Sequence, residues 1–303
     1  MISAAMVKEL RERTGAGMMD CKKALTETNG DFEAAIDFLR EKGLSQAAKK
    51  SGRIAAEGIV TIKYSADGKQ GVIVEVNAET DFVAKNDEFV GMVDAIAQAA
   101  LENEVAAVDE LLECKLGEGT VKDELTAKIA KIGENMTLRR FAKIDAADSV
   151  AAGYVHGNSR IGALVEFAAV GGDVEVIKAM GRDVAMQVAS MNPQFVDESG
   201  VDPEYLEREK KILVQQALNE GKPAEIVEKM VVGRLKKELK ETCLMEQKFV
   251  KDGDITVAEY VKQIAKAAGC ELAVKSFVRY EVGEGIEKKV DDLAAEVAKM
   301  TAQ

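Results

Sequence analysis

The sequence predicts an α+β protein with a helical unit at its N-terminus, a duplicated core, and a helical hairpin inserted in the second copy of that core. Three observations support this prediction. Helical patterns fill residues 3–42, a hairpin–helix–helix–strand order occurs twice after them, and two further helical patterns interrupt the second occurrence. The chain has 303 residues, of which 47% are hydrophobic, and this is enough for two or three domains with their own cores.

The N-terminal unit is predicted to contain three short helices. Ser3 and Asp31 can cap the first and third of them, and glycine-containing breaks separate all three. Gly43 is predicted to end the third helix, and residues 44–52 are predicted to form a short connecting helix. A unit of this size is close to the lower limit for independent stability, and such units often act as docking modules.

The first core unit is predicted to open with a hairpin over residues 58–76, in which alternating apolar residues flank an Asp67-Gly68 turn. A helix follows from Phe82 to about Leu101, then a helix at 121–132 and a strand at 136–144. The first of these helices carries an apolar stripe at Phe82, Phe89, Val93, Ile96 and Ala100. The spacing alone therefore predicts that Phe82 is a core residue.

The second core unit is predicted to repeat this order. A hairpin over 153–167 turns at Gly157-Asn158, a helix covers about 174–191, and a later helix and strand cover 258–268 and 272–280. The closing strands of the two copies are similar, which supports a duplication with small antiparallel sheets. We expect five parts: 1–56, 57–148, 149–202 with 241–284, the inserted antiparallel helical hairpin 203–240, and a helical module 285–303 with an amphipathic helix from Ile286 to Met300.

Composition excludes several classes of protein. The chain has 41 basic and 53 acidic residues, and by count residues 1–56 carry about +2 while the remainder carries about −14. This balance opposes nucleic-acid binding through phosphate contacts. No apolar stretch approaches the length of a membrane span and the N-terminus has no signal-like apolar region, so the sequence predicts a cytoplasmic protein.

The sequence contains no pattern typical of a catalytic or metal-binding site. The 4 cysteines are far apart and are predicted to be free thiols, and with a single histidine a zinc site is not expected. The glycines near positions 15 and 283 do not complete a dinucleotide-binding motif, and no phosphate-binding loop is present. The sequence therefore predicts no catalytic residue, no cofactor and no metal site, and it favours a binding protein with several modules.

Two long stretches resemble the bacterial elongation factor Ts family. They are Val7-Lys-Glu-Leu-Arg-Glu-Arg-Thr-Gly-Ala-Gly-Met-Met-Asp-Cys-Lys-Lys-Ala-Leu25 and Glu75-Val-Asn-Ala-Glu-Thr-Asp-Phe-Val-Ala-Lys85. The resemblance extends over essentially the whole chain, including Tyr154-Val-His-Gly157 and the stretch that begins at Phe277. Ala78 departs from the pattern, because the family usually has Cys or Ser there.

This resemblance implies a guanine nucleotide exchange factor for the GDP form of elongation factor Tu. In the family, the segment matching Thr80, Asp81, Phe82 and Val83 pushes into the GTPase near its switch region, displaces Mg²⁺ and loosens the phosphate loop. The resemblance thus implies that Phe82 points out of the protein, while Phe89 and the rest of its stripe stay in the core.

Other contacts are implied in the same way. The N-terminal bundle would be ubiquitin-associated-like and would dock on the GTPase through Met18 and Met19, although helical spacing alone favours a core position for one of them. The second core unit would contact another GTPase domain around His156. A homodimer or a 2:2 complex stays open, as does the role of the helical hairpin. The alternative is a non-catalytic adaptor, and an enzyme that uses a cysteine with His156 comes a distant third.

Overall fold

The computed structural model describes residues 2–145 and 148–287, apart from the side chains of residues 224 and 225. The chain divides into two compact units. Unit 1 contains residues 2–60, 74–141 and 281–287, and unit 2 contains residues 61–73, 142–145 and 148–280. The helix predicted for Ile286 to Met300 lies outside the described residues from position 288 onward.

The described residues form helices and short strands, numbered here in chain order. The helices are α1 (Ala4–Thr14), α2 (Met18–Glu27), α3 (Phe32–Lys50), α4 (Asp81–Ala84), α5 (Asp87–Glu102), α6 (Val108–Glu113), α7 (Val121–Ile132), α8 (Val174–Met191), α9 (Pro203–Asn219), α10 (Ala224–Thr242) and α11 (Val257–Ala268). The strands are β1 (Glu57–Tyr64), β2 (Gly71–Ala78), β3 (Lys115–Leu116), β4 (Gly119–Thr120), β5 (Met136–Ile144), β6 (Ser149–His156), β7 (Ile161–Ala169), β8 (Lys248–Phe249), β9 (Asp252–Thr256) and β10 (Leu272–Glu281).

The three helices of the N-terminal unit form as predicted, but the third is longer. The Ser3 hydroxyl caps α1 by accepting a hydrogen bond from the Met6 N–H at 3.3 Å, and the Asp31 carboxylate caps α3. Gly43 does not end α3, because the helix continues to Lys50 and includes the predicted connecting segment. Gly43 is buried against Thr126 and other residues of α7, and this packing outweighs the cost of about 1 kcal/mol for a glycine inside a helix. The likeness to a ubiquitin-associated domain stays a prediction.

The helix predicted from Phe82 to Leu101 is in fact two helices. The single turn of α4 ends at Ala84, and α5 starts afresh at Asp87. The break is at Asn86, whose side-chain oxygen accepts hydrogen bonds from the N–H groups of Glu88 at 2.8 Å and Phe89 at 3.4 Å. An asparagine cap satisfies N–H groups that have no partner in the first helical turn, so it starts a new helix where spacing alone suggests continuity. Sequence reasoning also missed α6 and the small β3–β4 hairpin.

The two larger sheets have the same strand order. The first is β1-β2-β5 and the second is β6-β7-β10, so in each the second strand of the hairpin is central and the closing strand of the copy lies beyond it. Strands β6 and β7 are antiparallel, with a register from Ser149 opposite Ala168 to His156 opposite Ile161. The shared order agrees with the predicted duplication.

A buried glutamate lies on the central strand of the first sheet. Glu75 is 0% exposed, and its carboxylate accepts hydrogen bonds from Arg139 at 3.1 Å and Arg140 at 2.6 Å, both on β5. The Asn77 amide and the backbone N–H of Gly283 also donate to it, at 3.1 and 3.0 Å. A buried carboxylate is tolerated when it is paired and fully hydrogen-bonded, and this one has four donors.

The second sheet repeats this arrangement. Glu166, on the central strand β7, accepts hydrogen bonds from Lys275 at 3.0 Å and Ser276 at 2.7 Å on the closing strand, and from Ser149 at 2.7 Å. Burial alone would raise the pKa of the Glu166 carboxyl, but the three donors and the lysine charge outweigh it, and the pKa lies below its ordinary value. Each copy therefore has a glutamate on its central strand bonded to its closing strand.

The inserted segment forms an antiparallel pair of helices, as predicted. Pro203 occupies the first turn of α9, and α9 packs on α10 through an apolar cluster of Ala217, Val227 and Val231. The short β8–β9 hairpin that follows α10 was not predicted. All four cysteines are free thiols, as expected. In the described ranges, no helix combines the length and the apolar character that a bilayer crossing requires.

Candidate partner-binding site

The strand-to-helix junction of unit 1, residues 79–86, presents an exposed aromatic side chain, and we call it the Phe82 turn. Thr80 follows the end of β2 and caps α4, because its hydroxyl accepts a hydrogen bond from the Val83 N–H at 3.4 Å. Phe82 is 82% exposed, whereas the next two residues, Val83 and Ala84, are buried. The turn is therefore anchored by Val83 and directs Phe82 into solvent. Val83 itself offers little surface for direct contact.

Asp81 already has a partner within the turn. Its Oδ2 atom lies 2.6 Å from the Nζ atom of Lys85, at the i,i+4 spacing that places both side chains on one helix face. Both side chains are half exposed or more, and a pair of this kind contributes little to stability, typically below about 1 kcal/mol. Lys85 can therefore orient the Asp81 carboxylate in the free protein and release it at small cost.

The Phe82 turn is also tied to the loop between α7 and β5. Thr80 donates two hydrogen bonds to Glu134, one from its N–H at 3.0 Å and one from its hydroxyl at 2.8 Å. Sequence reasoning missed this contact, because Glu134 lies 54 residues further along the chain and no spacing pattern connects it to Thr80.

Met18 and Met19 are both exposed, by 57% and 72%. They form the first turn of α2, directly after Gly17, which caps that helix through its backbone conformation alone. The core of the bundle is built from other residues, namely Val7, Leu10, Cys21, Ala24, Leu25 and Ala35. A core position for either methionine is therefore wrong, and the pair forms an apolar surface on the bundle. Methionine side chains are flexible and suit such contact surfaces.

A shallow basic cleft lies beside the first helix of the same unit. It has a volume of about 390 Å³ and is lined by Lys8, Arg11, Glu12, Gly15 and Lys131. Lys131 also contacts the Glu88 carboxylate at 2.8 Å, which together with Lys128 holds the pKa of Glu88 below its ordinary value. Three cations against one lining carboxylate make this cleft positive in a chain that is acidic as a whole.

His156 belongs to unit 2, where it is the exposed last residue of β6. Its Nδ1 atom lies 2.8 Å from the Tyr154 hydroxyl, and Arg182 lies over the Tyr154 ring at 5.3 Å. The following turn is tight, with positive φ angles of 56° at Asn158 and 65° at Ser159, a conformation that non-glycine residues rarely adopt. The imidazole is thus held by its neighbours at the edge of a constrained turn.

Comparison with known proteins decides the family. The model of the family described as Elongation factor TS matches residues 79–284. Proteins with the name Elongation factor Ts from Clostridium perfringens strain 13 and Clostridium botulinum strain Eklund 17B are each 54% identical to this chain, over 99% of both sequences. The protein of that name from Clostridium novyi strain NT is 53% identical over 100% of both.

The chain belongs to the elongation factor Ts family. It is thus an elongation factor of protein biosynthesis, and the resemblance drawn from its two signature stretches is confirmed. The family match begins at Glu79, the first residue of the Phe82 turn.

The predicted site residues of this elongation factor Ts family member do not form one cluster. Thr80 to Val83 lie together on one turn, Met18 and Met19 lie on a separate helix of the same unit, and His156 lies in unit 2. Within residues 2–145 and 148–287, no group of three or more His, Cys, Asp or Glu side chains is arranged to hold a metal ion. The exposed side chains of Phe82, Met18 and Met19 are apolar and suit contact with a macromolecule.

Proposed function

We propose that this chain is a guanine nucleotide exchange factor that acts on the GDP form of elongation factor Tu. Family membership supports the general role, and the exposed Phe82 on its anchored turn supports the mechanism. In this mechanism Asp81 and Phe82 enter the GTPase near its switch region and displace Mg²⁺. Phe82 is 82% exposed, so a partner that covers the ring gains the free energy of burying a large apolar side chain.

The energy that exchange requires exceeds what Phe82 can supply alone. A GTPase that holds GDP with nanomolar affinity has a binding free energy of ~12 kcal/mol. Accelerating release by roughly 10⁴-fold requires about 5.5 kcal/mol of differential stabilisation. Burial of one phenylalanine contributes about 1.5–3 kcal/mol. The remainder must come from docking elsewhere, for which the proposal uses the Met18–Met19 surface and the region around His156.

Displacement of Mg²⁺ is an efficient way to use this energy, because the metal joins the protein to the phosphates of the nucleotide. The coupling is reciprocal, so an incoming nucleotide with its metal weakens binding of the factor to the same extent. The factor can then act repeatedly without any covalent step. This scheme treats Mg²⁺ and nucleotide as ligands of the GTPase and needs no cofactor on the present chain.

The proposal retains the domain division expected from the sequence. In that division residues 1–56 dock on the GTPase, the core units cover 57–148 and 149–202 with 241–284, the hairpin covers 203–240, and 285–303 form a C-terminal module.

The decisive experiment measures release of a fluorescent GDP analogue from elongation factor Tu of the same organism, with excess unlabelled GDP and catalytic amounts of the purified protein. We expect release to accelerate in proportion to the amount of factor added and to slow as free Mg²⁺ is raised. Release that is no faster than the spontaneous rate would overturn the proposal. A stable complex without acceleration would instead favour a non-catalytic adaptor.

A further inference from the structure

Two acidic residues join the Phe82 turn to the loop between α7 and β5, and all the residues involved belong to unit 1. Glu134, in that loop, accepts from the Thr80 N–H at 3.0 Å through Oε2 and from the Thr80 hydroxyl at 2.8 Å through Oε1. In the opposite direction, Glu79 in the turn accepts from the backbone N–H of Asn135 at 2.5 Å. Each loop therefore supplies a carboxylate to the backbone of the other.

Further contacts hold this pair of loops. The Asn135 amide donates to the Arg53 carbonyl at 2.8 Å, and the Arg53 guanidinium lies 3.5 Å from Glu79. Lys50, the last residue of α3, donates to the Gly133 carbonyl. The loop that carries Glu134 is thus fixed to the end of α3 and the segment after it. Its hydrogen bonds to Thr80 can therefore hold the Phe82 turn in place.

The Phe82 turn needs such a support because it cannot stabilise itself. Helix α4 has 4 residues, whereas isolated helices shorter than about 12 residues are marginal in water. Phe82 makes little packing contact of its own, and the ion pair between Asp81 and Lys85 is half exposed. Besides the buried Val83 and Ala84, the direction of α4 therefore depends on Thr80, which caps the helix.

Glu134 controls the orientation of that cap. The Thr80 hydroxyl donates its proton to Glu134 and, with its lone pair, accepts from the Val83 N–H at 3.4 Å. The carboxylate thereby fixes the rotamer in which the hydroxyl can cap α4. Hydrogen bonds to an ionised acceptor are about twice as strong as those between neutral groups, which suits a single residue to this task.

We propose that Glu134 is a positioning residue for nucleotide exchange. It holds the Phe82 turn in the conformation that enters the GTPase, so that the turn does not have to be ordered after the complex has formed. This inference rests on the proposed exchange function and adds to it a residue that does not touch the GTPase. Since docking surfaces elsewhere hold the complex together, loss of Glu134 should slow GDP release within the complex more than it weakens the complex.

The kinetic test compares Glu134→Ala, Glu134→Gln and a matched control. The control is Glu110→Ala, because Glu110 also accepts two hydrogen bonds within unit 1, from the backbone N–H groups of Ala106 at 2.8 Å and Ala107 at 3.3 Å, but ahead of α6. We expect Glu134→Ala to lower the maximal rate of GDP release by about tenfold or more, the factor that corresponds to about 1.4 kcal/mol, with affinity for the GTPase changed by less than about threefold.

The single side-chain oxygen of glutamine can still accept from the Thr80 hydroxyl and keep the rotamer that caps α4, so Glu134→Gln should recover the maximal rate to within about threefold of wild type. Glu110→Ala should exchange like wild type. A maximal rate unchanged in Glu134→Ala, or a loss of affinity as large as the loss of rate, would overturn the inference. Thermal unfolding of each variant shows whether unit 1 remains folded.

A second measurement does not involve the GTPase. Amide hydrogen exchange of the free protein should show a protected Thr80 N–H, with protection of residues 80–85 lost in Glu134→Ala and retained in α5. A Thr80 amide that exchanges freely in the wild-type protein would refute the positioning role whatever the kinetics. If instead Thr80 is protected but the wild-type protein does not accelerate GDP release, the proposed function fails, and the contact is structural only.

Discussion

Replacement of Phe82 by alanine separates a contact role from a core role, because the two predict losses of stability of different size. A buried phenylalanine costs about 3–5 kcal/mol when truncated to alanine. Phe82 is 82% exposed, so only about a fifth of its surface contacts the protein, and we expect a cost below about 1 kcal/mol. In a unit of this size, that lowers Tm by no more than about 2–4 °C.

The effect on exchange should be larger. If the partner covers the exposed part of the ring, burial of that 82% contributes about 1.2–2.5 kcal/mol to the complex in which GDP is released. Removing it should slow catalysed release by about 8- to 70-fold. Stopped-flow fluorescence with a labelled GDP, at saturating factor, measures this rate, and calorimetry measures Tm.

Two further variants make the comparison specific. Phe89→Ala removes a ring that is 0% exposed on α5, so it should lower Tm by at least about 6 °C. Val170→Ala removes an apolar side chain that is 80% exposed in unit 2, and it should change neither Tm nor exchange. If Phe82→Ala melts as low as Phe89→Ala while exchange is retained, Phe82 is a core residue and the reasoning is refuted. If Phe82→Ala changes neither Tm nor the rate of exchange, Phe82 does not contact the GTPase and the proposed mechanism is wrong.

Three other changes test the scaffold and the docking surface. Glu75→Gln should cost about 3–5 kcal/mol in urea unfolding, because it leaves two partly buried arginines without their carboxylate, and a loss below about 1 kcal/mol would contradict this. The pKa of Glu166 is lowered in the folded state, so its stabilising contribution is present above the unfolded pKa of about 4.3 and is lost as the pH falls through the lower, folded pKa. The free energy of unfolding of Glu166→Gln should therefore lie below that of wild type at pH 7, and the difference should be smaller near pH 3. A difference that does not depend on pH would exclude this role. The double change Met18→Ser with Met19→Ser should raise the factor concentration needed for half-maximal exchange by about tenfold, because both side chains are exposed and available for docking. Tm should stay within about 2 °C of wild type, and a large fall in Tm would instead indicate a core role for the pair.

Elements with strong local signals could be predicted from the sequence. The hairpin turns at Asp67-Gly68 and Gly157-Asn158, the helix α8 and the paired helices α9 and α10 depend on turn chemistry and apolar spacing within short stretches. Two boundaries were wrong because long-range packing or a side-chain cap decided them. Packing on α7 carries α3 through Gly43, and the Asn86 cap divides the helix that spacing predicts to be continuous.

The candidate site was less accessible to pattern reasoning. Helical spacing places Phe82 in the core, and only the family resemblance suggests that it points outward. The structure explains the difference, since α4 ends before α5 begins and the two helices do not share one apolar face. Glu134 left no signal at all in the sequence pattern, because a hydrogen bond between loops 54 residues apart follows from the fold as a whole.

The two similar sheets show where such a protein can vary without losing its scaffold. In both copies the central strand bonds to the closing strand through a buried glutamate, Glu75 with its arginines and Glu166 with Lys275 and Ser276. The junctions that follow these strands differ. After β2 a capped turn presents Phe82, whereas after β7 an exposed Val170 is followed by two glycines and the Asp173 cap of α8. Since these polar contacts involve no side chain of the junctions, a junction can change its side chains at small cost to the sheet. This separation is consistent with two similar sheets of which only the first is followed by the Asp81 and Phe82 side chains proposed to enter the GTPase.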